Sequence, residues 1–302
     1  MREPPRACGA CGSERIRRRY ALHAFDVWAC DACTIALRHP LPDERELVAM
    51  YESERYHESA YFRNAGRDYD ERSPEVRIYR RALADLARLA PAANAPGPGR
   101  LLDVGCGTGV FLDLARRAGW DACGVELSER HVRHARATFG LEVWQGDFLA
   151  APLAARSFRA VTMWDFLEHV LDPRAVLDAA RRLLAPEGVL LVFTIDSASL
   201  FNLAGDLAYR ASGGRMARPL ELLYDARHNY YFTQVALARL LEGAGYRVEA
   251  WRADRAYLGR WLSEPAPWFL VAGGRALDLV SAVVRRPYRW TAYCKAVSET
   301  LS

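Results

Sequence analysis

Hydrophobic positions between residues 100 and 195 alternate between short continuous runs and runs with helical spacing. The continuous runs predict buried strands at 101–104, 121–126, 141–144, 158–164 and 188–195. Between these runs, apolar residues recur every three or four positions, as in helices that bury one face. Strands that alternate with helices in this way predict a parallel, doubly wound α/β sheet. Ligands of such sheets bind at the carboxyl ends of the strands.

Two further strands and two long connections complete the predicted core. Residues 246–251 and 289–296 predict the sixth and seventh strands of a mostly parallel, seven-stranded sheet. The 197–227 connection is far longer than the usual two to six residues of such links, and we interpret it as a lid with an apolar helical part. The 256–287 insertion is markedly apolar. It could cover the pocket, form a dimer face or lie on a membrane surface.

The beginning of the chain carries two C-x-x-C pairs separated by 18 residues. The four cysteines are Cys8, Cys11, Cys30 and Cys33. Between the pairs, residues 16–20 and 25–28 predict two short strands. Four thiolates supply the tetrahedral ligand set of a structural zinc ion and leave no position for a catalytic water. We therefore predict a small zinc ribbon at residues 1–40, with a redox dithiol as the alternative.

A helical cap and linker is predicted at residues 41–99, between the ribbon and a core at 100–302. Within it, Ser73 and Pro74 form a helix start, because serine caps a helix and proline fits its first position. Residues 91–99 hold three prolines and two glycines, which is typical of a linker.

Composition and charge exclude several classes of protein. An apolar fraction of 51% and a charged fraction of 26% are typical of a globular chain. A net charge of +4 is too small to predict a nucleic-acid partner. No signal peptide is visible, and glycine, arginine and aspartate interrupt the longest apolar stretch, 266–284. Seven cysteines in a cytoplasmic protein then indicate thiols or metal ligands, and Cys106, Cys123 and Cys294 are expected to be buried.

A glycine-rich loop follows the first core strand. Gly105, Gly107 and Gly109 have the spacing G-x-G-x-G and begin two residues after Asp103. Such a loop lets the backbone approach a ligand closely at a helix N-terminus. A dinucleotide fingerprint needs glycine or alanine at position 110, where the chain has Val110. This spacing disfavours a nicotinamide-dependent oxidoreductase.

Acidic side chains lie at the ends of the next two strands. Glu126 ends the second strand and can accept hydrogen bonds from ribose hydroxyls. Asp147 follows the third strand and can accept a hydrogen bond from an adenine amino group, while Phe148 packs on the base. Suitable residues at successive strand ends favour a ligand site over an ordinary sheet with tight turns.

Residues 100–195 resemble class I S-adenosylmethionine-dependent methyltransferases. The matching segments are Leu-Leu-Asp-Val-Gly-Cys-Gly-Thr-Gly (101–109), Gly-Val-Glu-Leu-Ser (124–128), Gly-Asp-Phe (146–148), Asp-Phe-Leu-Glu-His-Val (165–170) and Leu-Leu-Ala-Pro-Glu-Gly (183–188). The cysteine ribbon and the tyrosine-rich stretch at 51–62 are similar to bacterial members with an N-terminal zinc ribbon. Residues 228–233 are similar to the segment that opens their last helix, so the resemblance covers about 8–250.

This resemblance implies a Rossmann-like methyltransferase fold and S-adenosylmethionine as methyl donor. The cofactor-binding residues that it implies are Asp103, Gly105, Gly107, Gly109, Glu126, Leu127, Asp147, Phe148 and Trp164. Asp103 and the loop glycines should surround the methionine part of the cofactor, and Glu126 should hold the ribose. Leu127 should flank the adenine, and Trp164 and Asp165 should lie beside the reactive sulfonium.

Bacterial members of this kind act on sugars, quinones, lipids or secondary metabolites, so the resemblance implies transfer to an oxygen or carbon of a small molecule. His169 and His228 are candidate catalytic bases, because histidine titrates near neutrality. A structural role is the alternative for each histidine, and Glu168 is interpreted as a loop brace. Two other functions stay open: an RNA methyltransferase that binds through the ribbon, and a non-catalytic cofactor-binding module. A homodimer and peripheral membrane contact also stay open.

Overall fold

Two sheets organise the part of the chain that the computed structural model describes, residues 4–53, 73–90, 99–254 and 268–297. Their strands are β1 (Ile16–Ala21), β2 (Asp26–Cys30), β3 (Ala36–His39), β4 (Arg100–Val104), β5 (Asp121–Glu126), β6 (Glu142–Gln145), β7 (Phe158–Trp164), β8 (Leu184–Ile195), β9 (Tyr230–Tyr231), β10 (Tyr246–Asp254) and β11 (Arg289–Ala296). The smaller sheet has the order β1-β2-β3-β9, and the larger one the order β10-β11-β8-β7-β4-β5-β6.

The larger sheet confirms the predicted doubly wound architecture. Parallel pairing joins β6, β5, β4, β7 and β8 in that spatial order, and only β11 and β10 run antiparallel to their neighbours. The chain winds outward from β4 to β6 and then returns to β7 on the other side of β4. This reversal places a crevice at the carboxyl ends of β4 and β7, where ligands of open α/β sheets bind.

Helices separate most of these strands. They are α1 (Glu44–Glu52), α2 (Pro74–Leu89), α3 (Val110–Arg117), α4 (Glu129–Phe139), α5 (Pro173–Leu183), α6 (Leu200–Ala211), α7 (Arg218–Leu223), α8 (Gln234–Gly243) and α9 (Trp268–Val283). The predicted start of α2 is confirmed, because the Ser73 side chain accepts a hydrogen bond from the Val76 amide and Pro74 takes the first helical position. Within the described ranges, every helix is too short or too polar to cross a bilayer.

The two faces of the larger sheet pack against different helices. Leu102 and Val104 of β4 share one buried cluster with apolar residues of α5 and α8. Leu101, which points to the opposite face, belongs to a second cluster with residues of α2, α3 and α4. Each of these three strand residues is fully buried. The alternation explains why strands buried on both faces read as continuous apolar runs.

The smaller sheet joins the first 40 residues to the rest of the chain. The two predicted ribbon strands are found as β1 and β2, and β3 follows them. Beyond β3 lies β9, with Ala36 opposite Tyr231 and Leu37 opposite Tyr230. The pattern of the sequence does not predict β9, because a two-residue strand carries no periodicity of its own.

Some expectations fall outside the described residues. They concern residues 91–98 of the linker, most of the tyrosine-rich stretch at 51–62, and residues 255–267 of the apolar insertion. The domain boundaries at 40 and 99 stay predictions. The 197–227 connection is described throughout and contains α6 and α7.

Candidate functional site

A cavity of about 730 Å³ opens at the predicted crevice. Its lining includes every predicted cofactor residue except Asp103 and Gly109, and also both candidate bases, His169 and His228. Apolar residues of α1 and of the 197–227 connection complete the walls. This volume is within the range of small-molecule sites in proteins.

The glycine loop uses each glycine for a different purpose. Gly105, Gly107 and Gly109 all have positive φ angles of 72°, 52° and 86°. A Cβ atom on Gly105 would lie 2.5 Å from the Phe166 ring, and one on Gly109 would lie 2.6 Å from the Leu141 side chain. A Cβ atom on Gly107 would meet nothing within 4 Å, because this residue faces the cavity. Gly107 is therefore where the backbone is open to a ligand, whereas Gly109 permits close packing beside α4.

Glu126 holds the glycine loop in place. Its buried carboxylate accepts hydrogen bonds from the backbone amides of Gly107 at 2.8 Å and Ser128 at 2.9 Å. Burial raises the pKa of Glu126, and the amide donors oppose that shift. The same residue also lines the cavity. The sequence indicates a ribose ligand for Glu126 but does not reveal that it braces the loop.

Asp103 lies behind the cavity wall, within β4. Thr162 of β7 donates a hydrogen bond of 2.6 Å to its carboxylate, and only 2% of Asp103 is exposed. Burial raises the pKa of Asp103 to about 8. This hydrogen bond joins β4 to β7 beside the crevice. In the structure, Asp103 therefore stabilises the cavity wall.

The remaining predicted cofactor residues also line the cavity. Asp147 begins a short 3-10 helix, Phe148–Ala150, and accepts a hydrogen bond of 3.3 Å from the Leu149 amide. The Trp164 ring packs between the rings of Phe111 and Phe193, with centroid distances of 5.0 Å to each. These aromatic contacts fix the orientation of a large apolar wall.

His169 and His228 both line the cavity and pack against each other. Their ring centroids are 4.6 Å apart and the rings are perpendicular. His169 Nδ1 lies 3.1 Å from the carbonyl oxygen of Arg227, which can only accept, so Nδ1 carries the proton and Nε2 is the basic atom. Burial lowers the pKa of both histidines, and that of His169 lies well below its ordinary value. Both rings are therefore neutral near pH 7 and can accept a proton.

Glu168 lies beside the two histidines and is buried. Ligating atoms of Glu168, His169 and His228 all lie within 4.8 Å of one another, a donor set that also suits a divalent cation. Burial and the nearby Asp165 raise the pKa of Glu168 to about 8. The Glu168 carbonyl accepts hydrogen bonds from the amides of Asn229 and Tyr230. These bonds involve only the backbone of Glu168, so the role of its side chain as a loop brace stays a prediction.

The four ribbon cysteines converge on one point. Cys8 Sγ lies 3.7 Å from Cys33 Sγ, and Cys11 Sγ lies 3.6 Å from Cys30 Sγ. All four sulfur atoms lie within 4.8 Å of one another. Tetrahedral zinc with bonds of about 2.3 Å separates its sulfur ligands by roughly 3.8 Å, so the spacing fits this ion. The other three cysteines are buried elsewhere, as predicted.

Several residues that line the cavity belong to no sequence motif that would predict them. Tyr51 of α1 lines the cavity with its ring centroid 6.2 Å from that of His169. Asp225 pairs with Arg227 beside the histidines, and Tyr288 enters from the chain just before β11. The tyrosine-rich composition draws attention to Tyr51, but only the tertiary fold brings these residues together.

Comparisons with known proteins agree with this site. Among curated relatives, the ubiquinone biosynthesis O-methyltransferase of Psychrobacter arcticus is 31% identical over 161 residues, which cover 49% of this chain and 58% of that protein. The enzyme of the same name from Xanthomonas axonopodis pv. citri is 34% identical over 173 residues, covering 54% and 66%. The chain therefore spans only about six tenths of the length of these relatives.

A solved structure shows the same fold. The magnesium protoporphyrin IX methyltransferase of Synechocystis PCC 6803, solved with bound SAH, superposes with a TM-score of 0.55 at 15% identity. The match covers 85% of this chain and 100% of that one. A family model described as a methyltransferase domain matches residues 75–250, which is more than half of the chain. The resemblance seen in the motifs is thus confirmed, and the chain belongs to this methyltransferase family.

Proposed function

We propose that the protein transfers the methyl group of S-adenosylmethionine to a hydroxyl oxygen of a small molecule, with a quinol or related phenol as acceptor. The observation that carries this proposal is the single cavity that joins Gly107 and Glu126 to His169 and His228. The names of the curated relatives support oxygen as the methylated atom and a quinone precursor as the acceptor.

Bound S-adenosylmethionine supplies a methyl group that is already electrophilic, so the protein has to align the acceptor and remove a proton. His169 Nε2 takes the hydroxyl proton, while the Arg227 carbonyl keeps the ring in the required tautomer. His228 packs against His169 and orients the acceptor. Trp164 and Tyr51 exclude water from the path of transfer.

Thermal stability tests the cofactor part of this proposal. Ligand at about 100 times its dissociation constant stabilises a folded protein by about 2.7 kcal/mol. We therefore expect S-adenosylhomocysteine to raise the melting temperature by several degrees, and NAD to leave it unchanged. Differential scanning fluorimetry measures both shifts. An equal shift with NAD, or none with either ligand, would contradict the proposed cofactor.

Labelled methyl donor tests the acceptor. We expect radioactivity to be transferred to catechols and quinols and not to nucleotide-linked sugars, because only the former match the relatives. Mass spectrometry of the product then shows whether oxygen or carbon is methylated. Transfer to sugar carbon or to RNA, with none to phenols, would reject the quinol acceptor while leaving the cofactor claim intact.

We also infer that Cys8, Cys11, Cys30 and Cys33 bind one structural zinc ion. Elemental analysis should give about one zinc per chain in the wild type. Cys11→Ser should lose most of this zinc and lower the melting temperature, since metal binding contributes directly to the folding of such sites. Cys123→Ala is the matched control and should retain the metal. A metal-free wild type with no response to added zinc would overturn the inference.

The expectations about larger partners stay predictions. Leu279 and Val283 of α9 are 56% and 82% exposed, which agrees with a dimer face or a membrane-surface segment without choosing between them. The cytoplasmic location also stays a prediction. The acceptor proposed above is a small molecule, and the modest net charge still disfavours nucleic acid.

A further inference from the structure

We propose that the cysteine ribbon is the scaffold for the acceptor end of the cavity, so that its metal controls the order of that end and not the affinity for the cofactor. Among the described residues, the ribbon (residues 4–39) contacts the segment that carries His228 and the 197–227 connection. The inference rests on the proposed function only in naming this end of the cavity after the acceptor.

The first contact is the pairing of β3 with β9. Beyond the two strand pairs, the Arg38 amide donates a hydrogen bond of 3.0 Å to the Asn229 carbonyl, next to His228. The Arg38 guanidinium also donates to the carbonyl of Ala226. One edge of the ribbon therefore fixes the backbone on both sides of His228.

The turn between Cys8 and Cys11 also contacts the segment that carries His228. Tyr230 is fully buried, and its hydroxyl donates a hydrogen bond of 2.8 Å to the Leu171 carbonyl. A Cβ atom on Gly9, between Cys8 and Cys11, would lie 2.3 Å from that hydroxyl. The first cysteine turn thus packs directly on the tyrosine that lies two residues after His228.

Asn229 extends this support to the second histidine. Its amide nitrogen donates to the Glu168 carbonyl at 2.8 Å, and its side-chain Nδ2 donates to the His169 carbonyl at 2.7 Å. Arg38 of the ribbon donates to the Asn229 carbonyl, and Asn229 in turn donates to the Glu168 and His169 carbonyls. Asn229 therefore connects the ribbon to the backbone positions of both candidate bases.

The second contact holds the 197–227 connection. The Tyr20 hydroxyl donates a hydrogen bond of 2.6 Å to Asp206 of α6, and the His23 amide donates one of 3.2 Å to Glu221 of α7. Residues of β1 and β2 share a buried cluster with Leu220 and Tyr224. Since Leu222 and Leu223 line the cavity, the ribbon also positions its apolar wall. By contrast, the glycine loop is held by Val125 and Glu126 of β5.

Hydrogen exchange measured by mass spectrometry tests the proposal on the full chain. Removing zinc with a chelator should increase exchange at least about tenfold across 200–232, because local opening then costs less free energy. Exchange of 100–148 should stay the same, and the dissociation constant of S-adenosylhomocysteine should change less than about threefold, within the error expected for uncoupled sites. Changes confined to residues 4–39 would overturn the proposal. Equal loss of protection everywhere would overturn it too.

A pair of substitutions tests the same contact with the metal in place. Gly9→Ala should increase exchange at 226–232 because its Cβ collides with the Tyr230 hydroxyl. Combining it with Tyr230→Phe removes that hydroxyl and should restore much of the protection. Arg17→Ala, which breaks only the exposed ion pair with Asp31 on the same ribbon, is the control and should change nothing outside the ribbon.

Each variant should still hold about one zinc per chain. A Gly9→Ala protein with normal exchange at 226–232 would show that the ribbon does not support this segment. These measurements need no methyl transfer. Failure of the wild type to bind S-adenosylhomocysteine would count against the proposed function, whereas unchanged exchange counts only against the scaffold.

Discussion

Gly107→Leu is expected to weaken S-adenosylhomocysteine binding by at least about 100-fold, which corresponds to about 2.7 kcal/mol. The reason is geometric. A Cβ atom at this position meets no protein atom within 4 Å, and the residue lines the cavity, so a leucine side chain would occupy space where a close backbone approach to the ligand is expected. Glu126 remains bonded to the Gly107 amide, so the loop itself has no cause to unfold. Isothermal titration calorimetry measures the loss.

Gly140→Leu provides a matched control for backbone strain. Gly140 has a φ of 62°, close to the 52° of Gly107, and a Cβ atom there also meets nothing within 4 Å. Both substitutions force leucine into the left-handed region at a cost of about 1–2 kcal/mol. Gly140 ends α4 and does not line the cavity. We expect similar melting temperatures for the two variants and normal ligand affinity only for Gly140→Leu. Equal affinities would refute a ligand beside Gly107.

Local pattern was sufficient to predict the sheet and several strand-end residues that line the cavity. The strands Asp121–Glu126, Phe158–Trp164 and Arg289–Ala296 occur at their predicted bounds, because continuous apolar runs between turn residues identify buried strands. Glycines and acids at strand ends are local signals too. The fold then brings these ends together, so residues such as Gly107 and Glu126 line one cavity without any long-range information in the prediction.

The part of the cavity around His169 and His228 depends on contacts between distant parts of the chain. Tyr20 and Asp206, which hold the ribbon to α6, are separated by 186 residues. Asp225 and Tyr288 line the cavity only because the 197–227 connection and β11 meet there. Periodicity reports which face of an element is buried but not which element covers it. For the same reason, the motif could not distinguish Gly109, which serves helix packing, from Gly107, which faces the cavity.

His169→Asn is expected to reduce kcat by about 10²–10⁴-fold, the usual contribution of a general base. The S-adenosylhomocysteine dissociation constant should stay the same, because His169 contacts Arg227 and His228, whereas Val125 and Glu126 hold the glycine loop. Steady-state kinetics with a phenolic acceptor, together with calorimetry, separates the two quantities. His134→Asn is the control, since His134 is a half-buried histidine of α4 that contacts Thr138 and does not line the cavity.

The pH dependence distinguishes the histidine from Glu168 as the base. Burial lowers the pKa of His169 below its ordinary value of 6.5, so its basic form persists as the pH falls to that value. With His169 as base, kcat/KM should decline only below about pH 6.5, for an acceptor that does not titrate in this range. With Glu168 as base, the decline should begin near its raised pKa of about 8. A midpoint near 8 that persists in His169→Asn and disappears in Glu168→Gln would transfer the catalytic role to Glu168.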